Sequence, residues 1–296
     1  MNNILDRFSS HEDCSFNDSG DMFAVVSEHK YISIIMAPKH FEEKNIKNFK
    51  YMCSKVRFHP GGTRIYLNSF HESDHKARLL DIQGESFIRY FPGHQSQINS
   101  LCVHEKCLIT SSEDKTVRFY DENEEKETFT LQYNSSPKIS LHPNGNCLIV
   151  ATNSQINMYD RRQISSGVVA STKVDISDNN EPVFGMLGTS FAFNGGRYFS
   201  VYGLADLKER YSFSFKEEIY GPLCYSPEEQ FLLVGIGKDI VVFDNENGDQ
   251  VNVLKGASSN LTSIAFSPKY CNMITTGNQC QIWTVDQNVY HFWFDE

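Results

Sequence analysis

His71-Glu72-Ser73-Asp74-His75 spells His-Glu-x-x-His, the set with which a zinc hydrolase holds its metal and activates a water. That chemistry needs a helix, because helical spacing places both imidazoles on one face, a turn apart, with the glutamate poised as base. Here the string lies between Leu67-Asn68-Ser69-Phe70 and Ala77-Arg78-Leu79-Leu80, so a polar turn between two strands is expected. Cys102-x-His104-x-x-Cys107 offers three further ligand types but straddles a strand and its turn with no fourth ligand, and small core thiols are the expected reading. Gly235-Ile236-Gly237-Lys238-Asp239 lacks both the spacer and the strand-to-helix setting of a phosphate loop. No Gly-x-Ser-x-Gly and no spaced carboxylate pair stands out. The sequence argues against an enzyme, and no metal or cofactor is expected.

The elements that carry these residues come from an internal repeat. One phrase is an apolar residue, a small residue or His, then a turn: Phe16-Asn17-Asp18-Ser19-Gly20, Phe58-His59-Pro60-Gly61-Gly62, Leu141-His142-Pro143-Asn144-Gly145, Tyr225-Ser226-Pro227-Glu228 and Phe266-Ser267-Pro268-Lys269. Val103-His104-Glu105-Lys106 is a degenerate copy, and the fifth place is assigned to Met186. A second phrase ends a later strand in Asp: Leu80-Asp81, Tyr120-Asp121, Tyr159-Asp160, Ala205-Asp206 and Phe243-Asp244, with Trp283-Thr284 in the last place. Both series recur about every 40 residues, and four short strands per unit at that period mark a β-propeller. The fold expected is all-β, one seven-bladed propeller with four antiparallel strands per blade. The blades would begin near residues 12, 54, 99, 137, 183, 221 and 261 of the 296.

Unit three reads most cleanly, with strands at Ser100–Val103, Leu108–Ser112, Thr116–Tyr120 and Thr128–Leu131. Unit five reads as Thr189–Phe193, an Asn194-Gly195 turn and Arg197–Leu204. The acidic stretch Asp121-Glu122-Asn123-Glu124-Glu125 falls in a loop and is expected to be a solvated face. Ring closure would add a strand from the opposite terminus to the last blade; Ile4–Phe8 and the apolar Val289–Phe294 are both candidates.

Composition narrows the partners. Lys plus Arg is 27 against 37 Asp plus Glu, a net charge of −10, so direct duplex DNA binding is not expected. The longest apolar run tested, Tyr31 to Pro38, is too short to span a bilayer, and Met1-Asn2-Asn3-Ile4-Leu5-Asp6 does not read as a signal peptide. The eight cysteines contain no Cys-x-x-Cys pair, and buried reduced thiols are expected, as in a cytosolic or nuclear chain.

Gly93-His94 followed by Ser111-Ser112-Glu113-Asp114-Lys115-Thr116-Val117-Arg118-Phe119-Tyr120-Asp121 resembles a WD repeat, with Tyr120 where that family usually has Trp. The resemblance implies a buried hydrogen-bonded set of His94, Ser112 (or Thr110), Asp114 and Tyr120, structural rather than catalytic. Other units lack Gly-His, so their blades are expected to hold by packing alone. Phe87 to His94, the Asp114–Asp121 strand, Tyr159-Asp160-Arg161-Arg162 with Ser166-Gly167, and Asn278-Gln279-Cys280-Gln281-Ile282-Trp283 resemble the small seven-bladed WD-repeat subunit of COMPASS-type histone-lysine methyltransferase complexes. That family also occurs with RNA 3′-end processing and phosphatase assemblies. The resemblance implies a non-catalytic nuclear scaffold, with a cytosolic pool possible, monomeric within a hetero-complex and partnered by a SET-domain methyltransferase. It also implies a link to the phosphorylated RNA polymerase II tail, for which Lys115, Lys138 and Arg197 are the candidate cations. Ordinary solvated turn cations are the plainer reading of all three. Arg162, in an aromatic-Asp-x-Arg phrase, fits a second function, substrate receptor of a cullin-type ubiquitin ligase; a third is a general protein-assembly propeller.

Overall fold

Short runs of β-branched and aromatic residues, each stopped by a Gly, Asn or Asp turn, set the architecture. The structure, a computed structural model, describes residues 2–3, 8–36, 43–47, 52–174, 182–196, 198–215, 221–270 and 272–284. They form seven four-stranded sheets, all paired antiparallel. The innermost strands are His11–Phe16, Val56–Phe58, Ile98–His104, Lys138–Leu141, Val183–Phe184, Leu223–Tyr225 and Ser263–Phe266. Each packs beside the next, and Ser263–Phe266 packs against His11–Phe16, closing a ring. The chain is a seven-bladed propeller. No helix of the described residues is long and apolar enough to cross a membrane.

Blade three carries Ile98–His104, Cys107–Ser112, Thr116–Asp121 and Glu127–Gln132. Its second strand is buried along Leu108–Ser112, as a strand covered on both faces must be. The outermost strand alternates half-buried and exposed residues, the pattern of a sheet edge with one wet face. Apolar clusters lie between adjacent blades: Phe91, Leu101, Leu108 and Tyr120 of blades two and three form one, and Phe199, Leu223, Val234 and Phe243 of blades five and six another. The blades thus hold one another by burying faces that none could bury alone.

The two repeat phrases have distinct jobs. In the first, the second residue donates its N–H five residues on: Asn17 to Met22, His59 to Arg64, His142 to Cys147, Ser226 to Phe231 and Ser267 to Asn272. Gly185 does the same with Ser190, so the fifth copy is Phe184-Gly185-Met186-Leu187-Gly188, two residues before the placement at Met186. In the second, the Asp carboxylate accepts the N–H of a residue two or three ahead: Gly84 on Asp81 (2.6 Å), Asn123 on Asp121 (2.7 Å), Arg162 on Asp160 (3.0 Å), Lys208 on Asp206 (3.1 Å) and Glu246 on Asp244 (2.8 Å). These are Asx turns, which tie the third strand of a blade to its fourth. Blade five continues as Ser190–Asn194 and Tyr198–Gly203 around the Asn194-Gly195 turn.

The ring closes through the N-terminus. Asn2–Asn3 pairs antiparallel with Gln281–Thr284 and supplies the fourth strand of the seventh sheet. Of the two candidates for this role, Val289–Phe294 and residues 4–7 lie outside the described residues.

Candidate functional site

Gly93 and His94 end the connection from blade two into blade three, and the chain there turns with φ +134 at Gly93. A Cβ at Gly93 would press on the Arg118 guanidinium, 2.6 Å away, so glycine lets the loop lie flat on the blade. This seats His94 under the Ser112–Thr116 turn. Its Nδ1–H donates to Asp114 Oδ2 at 2.8 Å, and its Nε2 meets Thr110 Oγ1 at 2.7 Å. Asp114 also accepts from the Gln95 N–H (3.0 Å) and from the Thr116 N–H (2.9 Å) and hydroxyl (2.6 Å). Burial pushes the Asp114 carboxyl up, but the donors from His94, Thr116 and Gln95 outweigh it and hold the group well below the usual carboxylate range.

Of the two hydroxyls that the resemblance offered for the set, Thr110 is the one that joins it. Thr110, not Ser112, contacts His94; Ser112 donates its hydroxyl to the Ser96 carbonyl (3.0 Å) and accepts the Asp114 N–H. Tyr120 donates to the Pro92 carbonyl at 3.0 Å, bracing the chain just before Gly93. Its hydroxyl also bonds the Thr110 side chain, so Tyr120 is joined to the set while it anchors the loop.

The other blades do not hold by packing alone, and here the sequence reading is corrected. Trp283 of blade seven donates its Nε1–H to Thr275 at 2.9 Å, at the strand positions that Tyr120 and Thr110 occupy in blade three. In blade one the buried His11 and Ser27 side chains bond at 2.7 Å. Asn68, fully buried, accepts the Ser54 and Lys55 N–H groups and donates to the Ile98 carbonyl of blade three. Between blades five and six, buried Glu229 accepts from the Thr189 hydroxyl (2.6 Å) and from the Ser190 N–H (2.8 Å) and hydroxyl (2.7 Å). Only Trp283 carried a sequence signal; the others lack the Gly-His phrase that marks the set in blade three.

The metal-like strings hold no such geometry. His71 to His75 form the turn between Arg64–Asn68 and Ala77–Asp81, with no helix. Asp74 accepts the Lys76 N–H, as Asp114 accepts that of Thr116, and pairs with the buried Arg78. Among the described residues no group of three His, Cys, Asp or Glu side chains could hold a metal ion. Cys14, Cys53, Cys102, Cys107, Cys147, Cys224 and Cys280 are free thiols, and burial pushes Cys14 and Cys224 up to about 12. The acidic loop is not wholly solvated either: Glu122 binds His59 (3.0 Å) and Arg64 (2.8 Å) of blade two, while Glu124 and Glu125 stay exposed.

The candidate cations divide between two faces. In each sheet the turns between second and third strands lie at the end opposite those between third and fourth. Lys115 is exposed in the Ser112–Thr116 turn at φ +68, and Lys138 opens the inner strand of blade four; both lie on the first of these faces. Arg197 is outside the described residues. Arg162 is on the opposite face, in a 3-10 turn over Arg161–Ser166, and it grips Asp160 with two bonds of 3.1 and 2.9 Å. Its neighbour Arg161 donates to the Gly145 carbonyl.

Comparison with known proteins follows this geometry. Residues 85–121, which hold Gly93, His94, Thr110, Asp114 and Tyr120, match the family model "WD domain, G-beta repeat". Over 90% of its length the chain is 25% identical to WD repeat-containing protein 82 of Drosophila melanogaster, covering 88% of that protein. Over 92% it is 23% identical to COMPASS component SWD2 of Saccharomyces cerevisiae, covering 90% of it. A stretch of 110 residues, 36% of the chain, is 26% identical to the Set1 complex component swd2 of Schizosaccharomyces pombe, covering 30% of it.

Proposed function

We propose that this chain is a non-catalytic WD-repeat scaffold subunit of a nuclear, COMPASS-type histone-lysine methyltransferase complex. One observation carries the reading: nine-tenths of the chain aligns with nine-tenths of a protein named as a COMPASS component. The likeness to a Set1 complex component over a third of the chain adds to it. A rigid ring whose polar side chains are spent on joining blades suits assembly rather than turnover. Affinity purification of the tagged chain from its own cells tests the proposal. Recovery of a SET-domain subunit supports it; recovery of a cullin adaptor, or of neither, overturns it. The cullin reading is not favoured, because Arg162 is bound to Asp160 within its own turn and Arg161 to Gly145.

The finer part of the proposal is a link to the transcription machinery through the phosphorylated polymerase tail. Lys115 and Lys138 share a face, as phosphate recognition by two cations requires; Arg197 completes the candidate set. Binding of phosphorylated over plain tail peptides, weakened by Lys115→Ala and Lys138→Ala, is the expected outcome. Equal binding of both peptides would sink the link and leave the scaffold role standing.

A further inference from the structure

The face that bears Lys115 also holds a cavity of about 590 Å³ between blades two and three. It is lined by Phe70, His71, Glu72 and His75 from the blade-two turn and by Glu113 from the blade-three turn. No Lys or Arg among the described residues lines it. Among the described residues Glu72 has no ion-pair partner, and Glu113 meets only the Ser96 hydroxyl, at a long 3.4 Å. His75 Nδ1 is buried with no hydrogen-bond partner among the described residues. His71 Nδ1, by contrast, already accepts from Ser73. The Phe70 ring is fixed by stacking on His29, at 4.1 Å and 7°. A second cavity, about 490 Å³ between blades three and four, is lined by hydroxyls and amides such as Gln132, Asn134, Thr152 and Asn157, with no carboxylate or imidazole among its described lining residues.

We propose that the cavity between blades two and three binds an arginine side chain of a partner protein. Two carboxylates without an ion-pair partner accept but cannot donate, so the occupant they suit is cationic and rich in N–H groups. A guanidinium supplies five donors in one plane and stacks on an aromatic ring held in place, which an ammonium does less well. The net charge of −10 adds a general pull on such a segment. The site is independent of which complex the chain joins, and its test uses the purified chain alone.

Ligand-observed NMR of the full chain with nonapeptides Gly-Ser-Gly-Ala-X-Ala-Gly-Ser-Gly, where X is arginine, lysine or citrulline, reads the preference. The arginine peptide is expected to bind saturably, about tenfold tighter than the neutral citrulline peptide and tighter than the lysine one. Glu72→Gln with Glu113→Gln should remove that preference while the melting curve stays unchanged, because both side chains are exposed. Phe70→Leu should bring arginine down to the level of lysine. No saturable binding of the arginine peptide, equal binding of citrulline, arginine no better than lysine, or an intact preference in the double variant would each overturn the proposal.

Discussion

Asp114 is the residue on which the blade-three turn depends, because donors from the loop, the turn and the next strand converge on it. Its folded value lies below that of an unfolded aspartate, so its contribution is fully present above about pH 4 and fades as the pH falls below that. Asp114→Asn is therefore expected to lower stability at neutral pH and to flatten the acid limb below about pH 4, read by urea midpoints across pH. A limb as steep as that of the unaltered chain would show that Asp114 does not govern it. His94→Ala takes from the carboxylate its buried imidazole partner and should cost about 2 kcal/mol, against about 1 kcal/mol for Tyr120→Phe. Equal losses for the two would contradict the geometry. This set was legible because Gly-His and the Ser-Ser-Glu-Asp turn lie within 30 residues of each other in a known pattern. The choice of Thr110 over Ser112 was not, since the two lie two residues apart on one face of the same strand, and only the depth at which the loop seats His94 decides which hydroxyl meets the imidazole.

At the scale of the element, the first repeat phrase does more than end a strand. Its second residue reaches the turn glycine of the next blade: Ser267 donates to the Gly20 carbonyl across the ring closure, and His142 Nε2 lies 3.2 Å from the Gly188 carbonyl. A Cβ on Gly145 would overlap the His104 ring, and one on Gly188 the His142 ring, each at a positive φ. The turns of neighbouring blades thus interlock in a belt on one face. The recurrence of His and Gly was visible in sequence, but that a His serves the glycine of the following unit was not, because about 40 residues separate them. Gly188→Ala should cost about 2–3 kcal/mol, combining backbone strain with the clash. Gly167→Ala, also at positive φ but with open space around it, should cost only the strain, about 1 kcal/mol. Adding His142→Ala to Gly188→Ala should recover part of the loss, a coupling that a double-mutant cycle in urea measures. Strict additivity would mean that the belt contact is not what glycine protects.

For the whole molecule, the spacing of the phrases sufficed to give seven blades, since a period near 40 admits few other folds. How the ring is fastened was beyond its reach: two neutral asparagines carry no strand signal, and only the free edge of Gln281–Thr284 makes a strand of them. A ring of seven has one seam, and here it lies between blades seven and one. Besides the Ser267–Gly20 bond and the bonds of His11 to Gly277 and Thr262, two features fasten it. One is the backbone pairing of Asn2 with Ile282 and Asn3 with Gln281. The other centres on the buried Asp13, which accepts the Val56 N–H (3.0 Å) and the Arg57 guanidinium (2.6 Å) from blade two and the Ser263 hydroxyl (3.3 Å) from blade seven. Removing residues 1–3 severs the first and spares the second, so the ring should stay closed but bare an unpaired edge. The expected result is a melting point lower by at least about 2 °C, with concentration-dependent association through that edge on size-exclusion chromatography. Asp13→Ala, by contrast, takes a bond acceptor from donors of two blades at once and leaves Arg57 without that carboxylate. It should therefore lower the melting point further than the truncation, without creating the new edge. If the truncated chain melted and migrated as the full one does, the seam would be held by the contacts of blades seven and one, Asp13 among them, and the terminal strand would be dispensable to the ring.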